Sequence, residues 1–173
     1  NYINDHKALL ELGFDGFYVD IEPVQFSQRE YYLDLLDSIN NEISSGFILS
    51  VYSGSFGDSD NEWEWSPEFY SKVAGKVNLI FIPGFDSGES SKEGYQGYIK
   101  HQLEEISNRS YNTQFILGIP AHKPSPETMS NALEAVAEQT SIRRPNNLVG
   151  VAVFSEWTAT ENDWNIFKEY QNS

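Results

Sequence analysis

Cysteine is absent from this 173-residue chain, so disulfides and thiolate metal sites are both excluded. Positive charge is scarce: 11 Lys and Arg face 26 Asp and Glu, a formal net charge of −15. Such a surface repels phosphate backbones and anionic lipid heads, so neither nucleic acid nor a membrane is an expected partner. The histidines are three, His6, His101 and His122, with no ligand-like spacing between them. His6 and His101 fall in helical patterns, whereas His122 follows a strand pattern near its end. No run approaches the roughly 18 apolar residues of a membrane span, and no signal peptide is visible. The chain opens with Asn rather than Met, so the sequence assigns no compartment; a secreted or cell-surface location is compatible with it. No glycine-rich phosphate loop occurs, since Gly84 and Gly88 do not open one. Asp58-Ser59-Asp60-Asn61-Glu62 lacks the turn glycine and terminal Glu spacing of a calcium loop and reads as a solvated acidic loop. No cofactor and no metal are expected.

Aromatic residues are abundant, at 14% of the chain. Most serve an ordinary core, but in so acidic a protein they also suit a neutral ligand such as a sugar. A sugar ring packs its C–H face on a flat apolar side chain. Oligo- or polysaccharide is therefore the partner class that the composition favours.

A strand–loop–helix rhythm organises the chain. Short apolar runs rich in β-branched and aromatic residues occur at Phe17–Ile21, Phe47–Tyr52, Val77–Ile82, Phe115–Ile119 and Leu148–Phe154. Runs of this kind suit strands buried on both faces of a parallel sheet. Helical patterns alternate with them. Tyr32, Leu35, Leu36, Ile39 and Ile43 recur at helical spacing, and further helices are expected over 95–106 and 163–170, with an opening one over Asp5–Leu12 stopped by Gly13. Ser66-Pro67-Glu68 and Ser125-Pro126-Glu127 each read as an N-cap, a first-turn proline and an acid favoured by the helix dipole. With no linker or low-complexity tract, residues 1–173 read as a single domain of α/β class. A closed (β/α)8 TIM-type barrel needs eight such units and this chain holds about five. It is either the strand 4 to 8 portion of a barrel or an open doubly wound parallel sheet.

The first run carries the chemistry. Phe17, Val19 and Ile21 share one strand face, while Tyr18, Asp20 and Glu22 share the other. Asp20 and Glu22 are then about 7 Å apart by strand rise, at the C-terminal end where barrel enzymes place their reacting groups. Paired carboxylates in a partly dry interior resist ionising together, so one keeps its proton. A carboxylic acid that holds its proton near neutral pH is what glycosidic cleavage requires.

These residues resemble the acidic strand motif of the family 18 glycoside hydrolases, the chitinases and endo-β-N-acetylglucosaminidases. That motif runs Asp-Gly-x-Asp-x-Asp-x-Glu on the fourth barrel strand, and Asp15, Gly16, Asp20 and Glu22 stand in matching places. Later segments are similar in order: Pro83-Gly84-Phe85-Asp86 to the end of the sixth strand, Leu117-Gly118-Ile119-Pro120-Ala121 to the seventh, and Gly150–Trp157 to the eighth. The resemblance implies Glu22 as the general acid and Asp20 as the group that steadies the substrate's acetamide, which attacks in place of a protein nucleophile. It departs at Tyr18, where the family has an acid, and at Phe85, where it has a tyrosine that holds the N-acetyl group.

The expected function is hydrolysis of a β-linked glycan, N-acetylated or not, with Glu22 and Asp20 catalytic. Asp15, Tyr18, Tyr52, Phe85, Asp86, Glu156 and Trp157 are the expected substrate contacts. Glu156 reads otherwise as a solvated loop acid, and Tyr52 and Trp157 as rim packing. Trp63 and Trp65 lie in an acidic loop, as sugar platforms or as loop anchors. The rival reading is a catalytically inactive, lectin-like barrel in which the same cleft binds sugar without cutting it. Five units also leave the first and last strands as unpaired edges, so self-association, or pairing with an upstream segment of three further units, is expected.

Overall fold

The computed structural model describes residues 12–42, 46–59, 61–109 and 111–172. The helix expected over Asp5–Leu12, the last periodic residue Ile43 and His6 lie outside the described residues, apart from Leu12 itself. Two compact units partition the chain: Asn1–Phe81 with Tyr111–Gln114, and Ile82–Ser110 with Phe115–Ser173. Among the described residues the central sheet has five strands, in the order Gly16–Val19, Ile48–Tyr52, Leu79–Ile82, Gln114–Pro120 and Leu148–Phe154; the first three pair in parallel in turn, as do the last two.

In the first unit β1 (Gly16–Val19) pairs with β2 (Ile48–Tyr52), which pairs with the start of β5 (Leu79–Ile82). Between them run α1 (Arg29–Glu42) and α2 (Pro67–Ala74). Helix α1 buries Tyr32, Leu36 and Ile39 of the expected stripe, while Leu33 is buried in place of Leu35, which is only half-buried. Helix α2 starts as its sequence dictates: the Ser66 side chain accepts from Phe69 N–H, Pro67 fills the first turn and Glu68 faces the dipole. Leu49, Val51, Ile80 and Tyr70 close the core, fully buried.

The second unit holds α3 (Lys92–Asn108), most of β6 (Gln114–Pro120), α4 (Met129–Ile142), β7 (Leu148–Phe154) and α5 (Glu161–Gln171). Its core is Tyr95, Ile99, Leu103, Phe115, Leu117, Ile119 and Ala132. Surface ion pairs Lys92–Glu134 and Lys100–Glu138 link α3 to α4. Helix α5 begins with a full capping box between Thr160 and Asp163.

The structure corrects the sequence reading of several elements. Strand β1 stops at Val19, not Ile21, because Asp20 to Glu22 leave the ladder before Pro23. Helix α4 starts at Met129 with Thr128 as its cap, not at Pro126, and Glu127 is drawn away to another partner described below. The acidic loop after β2 contains a small parallel ribbon, β3 (Ser55–Phe56) with β4 (Glu64–Trp65).

Strands β1 and β7 end the sheet order, and among the exposed large apolar residues are Tyr18 on β1 and Val149 and Phe154 on β7. Edges left open among the described residues template pairing with another chain. We expect the 173-residue chain to associate with increasing concentration. Sedimentation showing a single monomeric species throughout would count against it.

Candidate active site

In the first unit β1 turns Phe17 and Val19 into the core and leaves Tyr18 half exposed, as alternation requires. Asp20 and Glu22 follow on the extended segment beyond the strand, and both are exposed. The dry interior expected around them is thus not seen among the described residues. Val19 pairs with Val51, so Asp20 and Tyr52 are the next residues at the C-terminal ends of their strands. Tyr52 stacks on Phe81, with ring centroids 5.6 Å apart. The Tyr18 phenol is pushed above the ordinary tyrosine range, first by burial and then by the negative charges of Asp20 and Glu22. Tyr18, Asp20 and Glu22 are therefore electrostatic neighbours.

Asp15 is not brought to this end. It precedes β1, where its carbonyl accepts from Ile48 N–H at 2.9 Å. Five residues at about 3.3 Å each separate it from Asp20.

Tyr32 on α1 is a core position by its helical spacing in the sequence. It is 5% exposed and meets Trp65 edge-on at 5.9 Å. Its hydroxyl is buried with no hydrogen-bond partner among the described residues. Burial raises its pKa, and Tyr18 and Asp20 raise it further, so the ring lies within electrostatic reach of the β1 end. A buried hydroxyl without a partner costs about 1–3 kcal/mol. Tyr32→Phe should therefore keep or raise the melting temperature, by up to several degrees. A clear drop in a thermal melt would mean that the hydroxyl is held by a partner in solution.

The two tryptophans of the acidic loop separate. Trp65 is 2% exposed and packs edge-on against Phe69 at 4.8 Å, which makes it the anchor. Trp63 stays 54% exposed.

In the second unit the segment after β5 is built by close backbone approach. A Cβ at Gly84 would lie 2.2 Å from the Gly118 carbonyl oxygen, so only glycine fits. From α3, the Tyr95 hydroxyl donates to the Gly84 carbonyl at 2.6 Å and the Tyr98 hydroxyl to that of Pro83 at 2.9 Å. Phe85 is buried and stacks on Phe154 at 5.1 Å, so it underlies an aromatic surface without facing solvent. His122 stands edge-on to both rings at 5.4 Å. Its Nδ1 lies 3.0 Å from the Phe154 carbonyl, which only accepts, so Nδ1 carries the proton in that contact. Trp157 meets Phe154 edge-on at 6.0 Å and is 75% exposed. Glu156 is exposed beside it, in a short 3₁₀ turn, Glu156–Thr158.

Asp86 is exposed, pairs with Lys123 and holds a left-handed backbone at φ 58°. Glu127 holds this bend. This buried carboxylate accepts from Asp86 N–H at 2.8 Å, from Ser87 N–H at 2.7 Å and from the Ser87 hydroxyl at 2.6 Å. The sequence reading missed it, because its partners lie about forty residues away. The one available signal was a Glu placed after Ser-Pro yet ahead of a better cap, Thr128.

Among the described residues no cluster of His, Cys, Asp and Glu is arranged to hold a metal ion.

The fold is that of (β/α)-barrel proteins, a class that includes glycosidases. Over 98% of its length the chain resembles the Bacillus cereus spore cortex-lytic enzyme SleL, with a TM-score of 0.67 and 15% identity, covering 52% of that chain. It resembles a Bacteroides thetaiotaomicron protein described as an alpha-L-fucosidase over 99% of its length, at TM-score 0.58 and 12% identity, covering 60% of that chain. A D-psicose 3-epimerase matches over 88%, at TM-score 0.54 and 13% identity, covering 57% of that chain. The chain thus spans about half the length of these solved structures. No protein-family model and no curated protein sequence matches it.

Proposed function

We propose that this chain forms part of a glycosidase that hydrolyses a β-linked glycan, with Glu22 as the general acid and Asp20 as its orienting partner. The observation that carries the reading is local. Two exposed carboxylates follow directly on the C-terminal end of a parallel strand, and both act electrostatically on Tyr18 beside them. That is the strand end at which barrel enzymes do their chemistry, and the fold is shared with a cortex-lytic enzyme. Glu22 protonates the glycosidic oxygen as the bond to the anomeric carbon breaks. The substrate's own acetamide, steadied by Asp20, takes the place of a protein nucleophile if the sugar is N-acetylated. The test is turnover of labelled chitin oligomers by the chain and by Glu22→Gln, with binding titrated on the same samples.

A second reading is a sugar-binding protein that does not cut. It is favoured by Tyr18, whose phenol stays neutral where the family motif has an acid, and by Phe85, which is buried and carries no hydroxyl. Saturable binding with no turnover would select it.

A further inference from the structure

Trp63 sits in the turn before β4, at the end of the first unit where β2 also finishes. Neither the core nor the carboxylate pair uses it. Its backbone is pinned on both sides: the N–H donates to Asn61 Oδ1 at 3.1 Å, and the carbonyl accepts from Ser55 N–H at 3.1 Å. A Cβ at Gly54 would come within 2.4 Å of the Trp63 carbonyl oxygen, so glycine permits this close crossing of the chain. The next residue, Glu64, is held as firmly. Its carbonyl accepts from Arg29 at 2.8 Å and its carboxylate from the Ser59 hydroxyl at 2.7 Å. The Arg29 guanidinium is itself stacked over Phe26 at 4.2 Å and over Phe69 at 4.6 Å. Arg29 thereby ties the segment that follows Glu22 to the ribbon that carries Trp63. The outcome is a large flat ring, more than half exposed, on a backbone that is already rigid.

What such a ring takes is limited by its surroundings. Asp58 and Asn61 are exposed close by in the chain and Glu62 is half-buried, so hydroxyl donors are welcome and anions are not. A protein partner needs about 800 Å² from this side. Trp63 and the 45%-exposed Phe26 together offer only on the order of 200 Å², half of what two such rings carry. A sugar residue fits both the area and the charge. Rigid aromatics also bind at low ordering cost.

We propose that Trp63 is an outer carbohydrate subsite, a stacking platform for one sugar of an extended neutral glycan whose reacting bond lies at Glu22. The inference rests on the glycosidase reading and adds to it a dependence on chain length. Chitin and cellulose oligomers of two to six sugars, titrated by calorimetry and tryptophan fluorescence, provide the probe. Affinity for the preferred series should climb with length. Trp63→Ala should lose about fivefold on the longest oligomers and little on the shortest, the equivalent of one aromatic contact. Its melting temperature should be unchanged, because the side chain is exposed. Glu22→Gln should keep the length dependence while losing turnover. Equal affinity of Trp63→Ala and the parent at every length, with turnover present in the parent, overturns the subsite alone. A parent that neither binds nor cuts any oligomer overturns the glycosidase reading and the subsite with it.

Discussion

Glu22→Gln should slow glycan hydrolysis by roughly 10² to 10⁴-fold, the usual contribution of a positioned general acid, while oligosaccharide binding survives. Gln keeps the size and the hydrogen-bonding capacity of Glu but has no proton to give. Exposure of residue 22 makes the substitution structurally mild, so the melting temperature should hardly move. Asp20→Asn gives the second arm. If Asp20 steadies the substrate's acetamide, Asp20→Asn slows turnover of N-acetylated oligomers while they still bind. Kinetics and thermal melts on the same preparations separate this from a structural role. If both carboxylates merely shaped the strand end, either change would lower stability and leave turnover per folded molecule unchanged. A folded Glu22→Gln protein with undiminished turnover would end the claim for this residue.

Glu127→Ala should destabilise the protein by about 2–4 kcal/mol, which lowers the melting temperature by roughly 5–15 °C in a chain of this size. The carboxylate satisfies two backbone N–H groups and one hydroxyl. Hydrogen bonds to a charged group are each worth more than neutral ones, and deleting the acceptor strands all three donors together. Glu127→Gln retains one oxygen and should lose less. The loss should be felt first at Asp86, whose left-handed backbone depends on these bonds. Differential scanning calorimetry of both variants checks the order. A melting temperature for Glu127→Ala within a degree of the parent would mean that water replaces the carboxylate at no cost.

The sequence made the fold legible where local signals and tertiary demands agree. Leu148–Phe154 is a strand in both reading and structure, because seven apolar residues leave no competing pattern. Ser66-Pro67-Glu68 opens a helix because all its partners lie within one turn. Ser125-Pro126-Glu127 has the same letters and fails, since Glu127 is recruited by backbone groups about forty residues earlier. Periodicity cannot register such a contact. Trp63 and Trp65 look equivalent in the sequence and are opposite in the structure, one exposed and one buried. Burial of Trp65 follows from the β3–β4 ribbon, two residues per strand and too short to leave a periodic trace. The acidic strand end was legible as a cluster, because alternation along four residues needs no distant partner. The exposure of Asp20 and Glu22 was not, since it depends on what else packs at that end.

The clasp of Glu127 on Asp86 and Ser87 also orders events in time. The residues it joins are separated by the whole of α3 and all of β6. Closing so long a stretch of chain is slow compared with forming a helix. The three hydrogen bonds of Glu127 therefore reach the bend at Asp86 only once residue 127 is present. In a chain made from its N-terminus, those bonds form only after α3 and β6 have been made.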